Sequence, residues 1–300
     1  MITAEQVVKR FDNFTALDHV SCTIPDGCIY GMVGSNGAGK STFLRLITGV
    51  YKADAGQVLF DGAPVYENPA VKSQMVYVPD ELFVLSGSSM DRMAKLYESV
   101  YPGFDRLRYT ELSQRFGLDV KKNIGTFSKG MKRQAATILA LATKSKYIFF
   151  DETFDGLDPI MRNLVKNIIC EDVIDRSATA IITSHSLREL EDTCDQLALL
   201  HKGGLVFESD IENLKTALFK VQIAFSNEFD KGVFDGCEVL KFTKHGSVAN
   251  AIIRGDREAC VQRLSWLHPV LLEVLPLSLE EVFTYEMEAL GYVFDEGKEA

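Results

Sequence analysis

The chain has 300 residues, an apolar share of 46% and a formal net charge of −10. That length suits two domains, and the apolar share is enough for packed cores, which excludes a disordered chain except at the polar tail from Phe294 to Ala300. The acidic balance argues against a nucleic-acid partner, because a phosphate backbone calls for a positive field, but a small anion can have its charge met locally.

The six cysteines include no C-x-x-C pair and mostly sit in apolar or amphipathic runs, so buried free thiols are expected rather than disulfides or zinc ligands. The segment Met1-Ile2-Thr3-Ala4-Glu5-Gln6 lacks a basic region and a long apolar core, so no signal peptide is expected. No apolar run approaches the roughly 20 residues that span a bilayer. Any membrane role is therefore expected from the aqueous side, through partners.

Residues 1–60 read as strand-rich, and Phe60-Asp61-Gly62-Ala63-Pro64 as a turn. Within them, Cys28 to Val33 predicts a buried strand, and Thr42 to Thr48 a helix that Gly49 stops. Over 88–120, Met90, Met93, Ala94, Leu96 and Tyr97, then Leu112, Phe116 and Leu118, have helical spacing and predict a helical insertion. A helix at 128–143 precedes Tyr147-Ile148-Phe149-Phe150, an unbroken apolar run as for a strand buried on both faces. A helix near 159–175, a buried strand at Ala178–Thr183 and a helix at 186–193 continue the alternation, which implies a mainly parallel sheet. After about residue 213 the pattern restarts, with strands at 220–225, 247–253 and 270–274 and helices at 256–267 and 279–290. The expected domains are 1–212 and a small α+β module at 213–300.

Between the first buried strand and its helix lies Gly34-Ser35-Asn36-Gly37-Ala38-Gly39-Lys40-Ser41, which fits G-x-x-x-x-G-K-[ST] at every fixed position. Glycines there let backbone N–H groups curl around phosphate oxygens, and a helix N-terminus favours the anion. Residues 35–42, Ser35 to Thr42, are thus expected to hold the polyphosphate of a nucleotide, with Lys40 on the β- and γ-phosphates and Ser41 on a magnesium ion. Farther on, Phe149-Phe150-Asp151-Glu152 is a strand ending in two carboxylates. Asp151 stands at the carboxyl end of a parallel strand, where such sheets place ligands, and would orient the metal; Glu152 would take a proton from the attacking water. A solvent-facing acidic pair is the ordinary alternative, and the phosphate loop upstream favours the chemical one.

Asp151-Glu152-Thr153-Phe154-Asp155-Gly156-Leu157-Asp158-Pro159 resembles the Walker B and D-loop of ABC-type ATPases. Phe127-Ser128-Lys129-Gly130-Met131 resembles their signature, usually Leu-Ser-Gly-Gly-Gln, and Thr183-Ser184-His185 resembles the H-loop. In order and spacing these motifs resemble an ABC nucleotide-binding domain over about residues 1–212. The resemblance implies an α/β P-loop fold with a RecA-like core, an antiparallel β-subdomain and a helical subdomain. It also implies that Ser128 and Gly130 contact the γ-phosphate held by another protomer, that Asp158 bridges to the partner's phosphate loop, that His185 contacts the γ-phosphate and the water, and that Phe11 stacks on adenine. Ser128 and Asp158 also read as plain helix starts, and Phe11 as core.

Three departures from that family's pattern stand out. Lys129 and Met131 replace glycine and glutamine in the signature, and Thr153 replaces the proline after Glu152. In Tyr77-Val78-Pro79-Asp80-Glu81, Asp80 takes the place of the Q-loop glutamine, which the resemblance puts near magnesium; Asp80 can ligate the metal, or simply turn the chain after Pro79. Leu275-Pro276-Leu277-Ser278-Leu279-Glu280-Glu281-Val282-Phe283 resembles the C-terminal segment of ATPases that drive drug- and peptide-type exporters.

The resemblance thus implies the ATPase subunit of a bacterial-type exporter. It would dimerise with a second copy or a related subunit, drive a separately encoded permease, and reside in the cytoplasm on the inner face of the cell membrane. A soluble ABC ATPase acting on non-membrane partners, and a degenerate regulatory ATP-binding protein, are the alternatives.

Overall fold

The computed structural model describes residues 1–289. It divides into two compact units that break between Ser209 and Asp210, a little ahead of the 212/213 expectation.

In the first unit, β1 (Ile2–Phe11) and β2 (Phe14–Ile24) form a hairpin, and β3 (Ile29–Val33) leads through the glycine loop into α1 (Lys40–Ile47). Next come β4 (Ala55–Phe60), β5 (Ala63–Pro64), the one-turn α2 (Pro69–Lys72) and β6 (Met75–Val78). The helical stretch holds α3 (Met90–Val100), α4 (Arg106–Arg115) and α5 (Lys129–Ala142). The alternating part is β7 (Tyr147–Asp151), α6 (Pro159–Arg176), β8 (Thr179–Ser184), the short α7 (Leu187–Leu190), β9 (Gln196–His201) and β10 (Gly204–Asp210).

These strands make two sheets. An antiparallel one runs β2-β1-β4-β5, and a six-stranded one runs β10-β9-β3-β8-β7-β6 with parallel pairing from β9 to β6. All five residues of β3 and of β7 are buried, as a parallel sheet covered on both faces requires. Phe43, Leu44, Leu46 and Ile47 of α1 join one core with Val7, Val20 and Phe60 of the first sheet and Tyr30, Phe149 and Ile181 of the second. That shared core fixes α1, and with it the end of the glycine loop.

The second unit, from Asp210, holds α8 (Ile211–Ala217), β11 (Leu218–Ala224), β12 (Glu238–His245), β13 (Val248–Arg254), α9 (Arg257–Ser265), β14 (Leu271–Leu275) and α10 (Leu279–Ala289). Its sheet is antiparallel in the order β12-β13-β11-β14. Phe219, Val221, Ile223, Phe234, Ala251, Ile253 and Leu264 form its own core. Asp256 caps α9 through its carboxylate, which accepts from the Ala259 N–H.

Several details differ from the sequence reading. The unit beyond residue 210 has a fourth strand, β12, which is an exposed edge strand carrying lysines and so lacks a clear apolar alternation. The hairpin β9–β10 was not anticipated, and the helix expected at 186–193 closes to one turn. The reading of 60–64 as a turn is sharpened: Asp61 and Gly62, both at positive φ, make a two-residue hairpin connection that pairs Phe60 with Ala63. All six cysteines are free thiols, four of them buried. The expected reach of the last helix to Leu290 and the tail from Phe294 to Ala300 lie outside the described residues.

One glycine depends on the sheet geometry. Gly56 has φ 74 and lies across from the β1 bulge, where Gln6 is itself at φ 48; a methyl on Gly56 would come within 2.3 Å of the Glu5 and Gln6 carbonyl oxygens. Gly56→Ala is expected to cost about 1–3 kcal/mol of stability, read as a lower urea midpoint of the first unit. An unchanged midpoint would contradict this account of the bulge.

Candidate active site

Strands β3, β8 and β7 are adjacent and parallel, so the residues just beyond them converge on one edge of the sheet. The loop after β3 is closed to side chains at Gly34 and Gly39. A Cβ on Gly34 would stand 2.3 Å from the Leu200 carbonyl oxygen, and one on Gly39 2.8 Å from that of Ala16. Gly37 and Gly39 also take positive φ, at 79 and 107. Ser35 accepts at its carbonyl from Ala38 N–H (3.1 Å), and buried Ala38 accepts from Gly203 N–H (3.0 Å). The loop borders a cavity of roughly 430 Å³ lined by Asn36, Gly37, Gly39, Lys40, Ser41 and Thr42 on one side and Asp80, Glu152, Asp155 and His185 on the other.

Lys40 folds back over its own loop. Its Nζ donates to the Gly34 carbonyl (2.6 Å) and the Ser35 carbonyl (3.2 Å), and pairs with Glu152 Oε1 at 3.2 Å. Glu152 Oε2 lies 3.0 Å from His185 Nδ1 and accepts from the His185 N–H at 3.3 Å. Lys40, Glu152 and His185 therefore form one polar chain beside the loop. Glu152 holds φ 49, a left-handed backbone uncommon for a residue with a side chain. Its N–H donates to Thr183 Oγ1 at 3.2 Å, which helps hold that turn.

Asp151 is fully buried. A carboxylate there needs donors, and it has three: Ser41 Oγ (3.1 Å) and Thr183 Oγ1 (2.8 Å) on one oxygen, Tyr77 OH (3.1 Å) on the other. Burial and the Asp151 charge together push the Tyr77 phenol well above its ordinary value, keeping it a donor. Ser41 and Asp151 are hard oxygen groups beside a cradle that a Cβ at Gly34 or Gly39 would obstruct. That donor set fits a magnesium ion shared with a phosphate.

The three expected cross-protomer residues lie elsewhere. Ser128 is exposed and caps α5, its Oγ accepting from Met131 N–H at 3.2 Å. Asp158 caps α6 by accepting from the Ile160 and Met161 N–H groups, both at 3.0 Å. A Cβ on Gly130 would lie 2.9 Å from the Gly156 carbonyl, so the start of α5 runs close along the loop after β7. None of the three lines the cavity.

Two other expected site residues have distinct surroundings. Phe11 packs edge-on against Tyr51 with Lys9 over its ring, and the aromatic that lines the cavity is Phe14, beside Ala16. The two phenylalanines pair directly across the hairpin turn, so sequence position alone did not separate them. Asp80 lines the cavity, and its carboxylate pairs with Arg133. Lys129, unusual in the signature, pairs with Asp155 at 2.6 Å, and that hydrogen bond outweighs burial to hold the Asp155 carboxyl below its ordinary value. Thr153 is buried, and its hydroxyl has no partner among the described residues. Arg133 carried no motif signal as a site residue, and Tyr77 and Asp155 were visible only as members of the stretches 77–81 and 151–159, with no role of their own. Thr183 was visible only as the first residue of Thr183-Ser184-His185.

Comparison with known proteins agrees with this geometry. The family described as ABC transporter matches residues 17–155. The ABC transporter ATP-binding protein YtrB of Bacillus subtilis is 31% identical over 283 residues, covering 94% of this chain and 97% of the relative. The lantibiotic transport ATP-binding protein SrtF of Streptococcus pyogenes is 29% identical, covering 75% of this chain and 98% of the relative. A bacterial ABC transporter cassette solved as a dimer superposes with a TM-score of 0.62 at 19% identity, covering 70% of this chain and 99% of that one. Among the described residues no helix is long and apolar enough to cross a membrane. With a glycine loop, a buried Asp151 and a Lys40–Glu152–His185 chain at one sheet edge, and with relatives of this kind along most of its length, the chain belongs to the ATP-binding proteins of ABC transporters, which are ATPases.

Proposed function

We propose that the chain is the ATP-hydrolysing subunit of an exporter and works as a dimer around two ATP molecules, on the inner face of the cell membrane. The observation that carries this reading is the division of the site. The phosphate loop, Glu152 and His185 share one cavity, whereas Ser128, Gly130 and Asp158 lie outside it. On this reading the serine hydroxyl at the exposed start of α5, outside that cavity, meets the terminal phosphate held by another molecule. A cassette of the same fold has been solved as a dimer, which supports a dimer here.

The roles follow from the contacts. With ATP in the loop, Lys40 exchanges its carboxylate partner for phosphate oxygens and places positive charge where the leaving phosphate gains negative charge. Glu152, released from Lys40, takes the proton of the attacking water, and His185 holds the carboxylate and the terminal phosphate in register. Ser41 and Asp151 would hold a magnesium ion, which supplies charge neutralisation on the β- and γ-phosphates. Phe14 lines the cavity and would be the aromatic that faces the base. The unit from Asp210 contributes a contact or regulatory surface and takes no part in hydrolysis. A relative named as an ATP-binding protein of lantibiotic transport supports a transport role, and on this reading the permease is a separate chain.

Glu152→Gln is expected to slow phosphate release about tenfold or more, while ATP still binds and ATP-bound dimers accumulate on size exclusion. Unchanged turnover would refute Glu152 as the base. Affinity capture from detergent-solubilised membranes is expected to recover a polytopic protein; recovery of water-soluble partners alone would refute the exporter assignment.

A further inference from the structure

The cavity that is to receive a polyphosphate is lined by three carboxylates, Asp80, Glu152 and Asp155, with Asp151 buried behind them. Uncompensated, that charge would repel the substrate. Each carboxylate has its own cation. Glu152 pairs with Lys40, Asp155 with Lys129, and Asp80 with Arg133. Lys129 and Arg133 lie one turn apart on α5, so a single helix face neutralises two loops that come from different strands.

Arg133 is placed differently from an ordinary surface arginine. It is 1% exposed, the largest of the fully buried side chains. Its Nη1 donates to the Asp151 carbonyl at 3.2 Å and to the Pro79 carbonyl at 3.4 Å, and its Nη2 donates to Asp80. The planar guanidinium thus joins the end of β7, the end of β6 and the carboxylate that stands in the cavity wall. An arginine that bonds two backbone carbonyls has its orientation fixed before it meets the acid. Asp80 is half exposed and has no such constraint of its own.

We infer that Arg133 is a positioning residue that Asp80 makes necessary. It draws the Asp80 carboxylate toward α5 and cancels its charge, so that the cavity accepts a polyphosphate despite carrying one more acid than the glutamine at this position would supply. The same contact ties the start of α5, where Ser128 and Gly130 sit, to the wall of the nucleotide cavity.

The inference rests on the nucleotide reading of the cavity, and the two fail in different ways. Binding of a fluorescent ATP analogue is measured by titration in EDTA, so that no metal takes part, with Lys40→Ala as the control. Failure of the unmutated chain to bind would overturn the nucleotide reading itself. Arg133→Met is expected to weaken metal-free binding about tenfold, and Asp80→Asn in the same chain to restore it to within about threefold of the unmutated value. Arg133→Lys, which keeps the charge, is expected to retain most of the affinity. Loss of affinity that Asp80→Asn does not rescue would reduce Arg133 to a structural role and overturn the inference. Should Arg133→Met lower the melting temperature too far for titration, Asp80→Gln alone decides. It is expected to tighten metal-free binding by less than about threefold, because the carboxylate is already neutralised. A tightening of about tenfold or more would show that the phosphates feel Asp80 in spite of Arg133, and would overturn the inference.

Discussion

A carboxylate with no access to water ends the buried strand β7, and the site is arranged around it. Burying Asp151 is costly unless its oxygens are satisfied. The donors come from three places: Ser41 in the first turn of α1, Thr183 in β8 and Tyr77 in β6. Those bonds hold the start of α1 against the sheet, and the start of α1 is where the glycine loop ends. They also use Thr183 twice, since its hydroxyl oxygen accepts from the Glu152 N–H while its proton goes to Asp151. The strained turn at Glu152 is therefore supported by the same residue that satisfies Asp151. From that turn the Glu152 side chain reaches both Lys40 and His185.

Charge pairing then decides what the cavity can admit. Lys40 is buried and satisfied by two loop carbonyls and Glu152. In the proposed cycle this ion pair exchanges partners, because a phosphate offers Lys40 oxygen acceptors at higher charge. The departures from the family pattern fit the same logic. Lys129 faces Asp155, and Asp80 faces Arg133, so neither unusual residue adds unpaired charge to the cavity wall. Both pairs anchor α5, the helix whose first turn carries Ser128 and Gly130.

Much of the site was legible in the sequence because it is written in short contiguous motifs. Gly34 to Ser41, Asp151-Glu152 and His185 are each next to a strand end, and a parallel sheet brings strand ends together whatever the intervening length. Ser41 beside Asp151, and Glu152 beside His185, follow from that rule. The residues that escaped the sequence reading act through tertiary contact alone. Arg133 lies in a helix whose alanine- and leucine-rich pattern reads as core, and nothing local links it to Asp80, 53 positions earlier. Phe11 and Phe14 are equivalent in sequence terms, and only the packing of Tyr51 separates them. In the second unit, β12 escaped because an edge strand keeps polar residues on both faces.

The central claim is that one chain holds only half of a hydrolytic site. Complementation tests it most directly: a Lys40→Ala chain and a Ser128→Arg chain are mixed in equal amounts, and phosphate release is measured for each alone and for the mixture. A composite site predicts two inactive variants and a mixture that recovers up to about a quarter of unmutated turnover, because half of the dimers are mixed and each has one intact pairing of loop and signature. A mixture as inactive as its components, with mixed dimers demonstrated, would contradict the account.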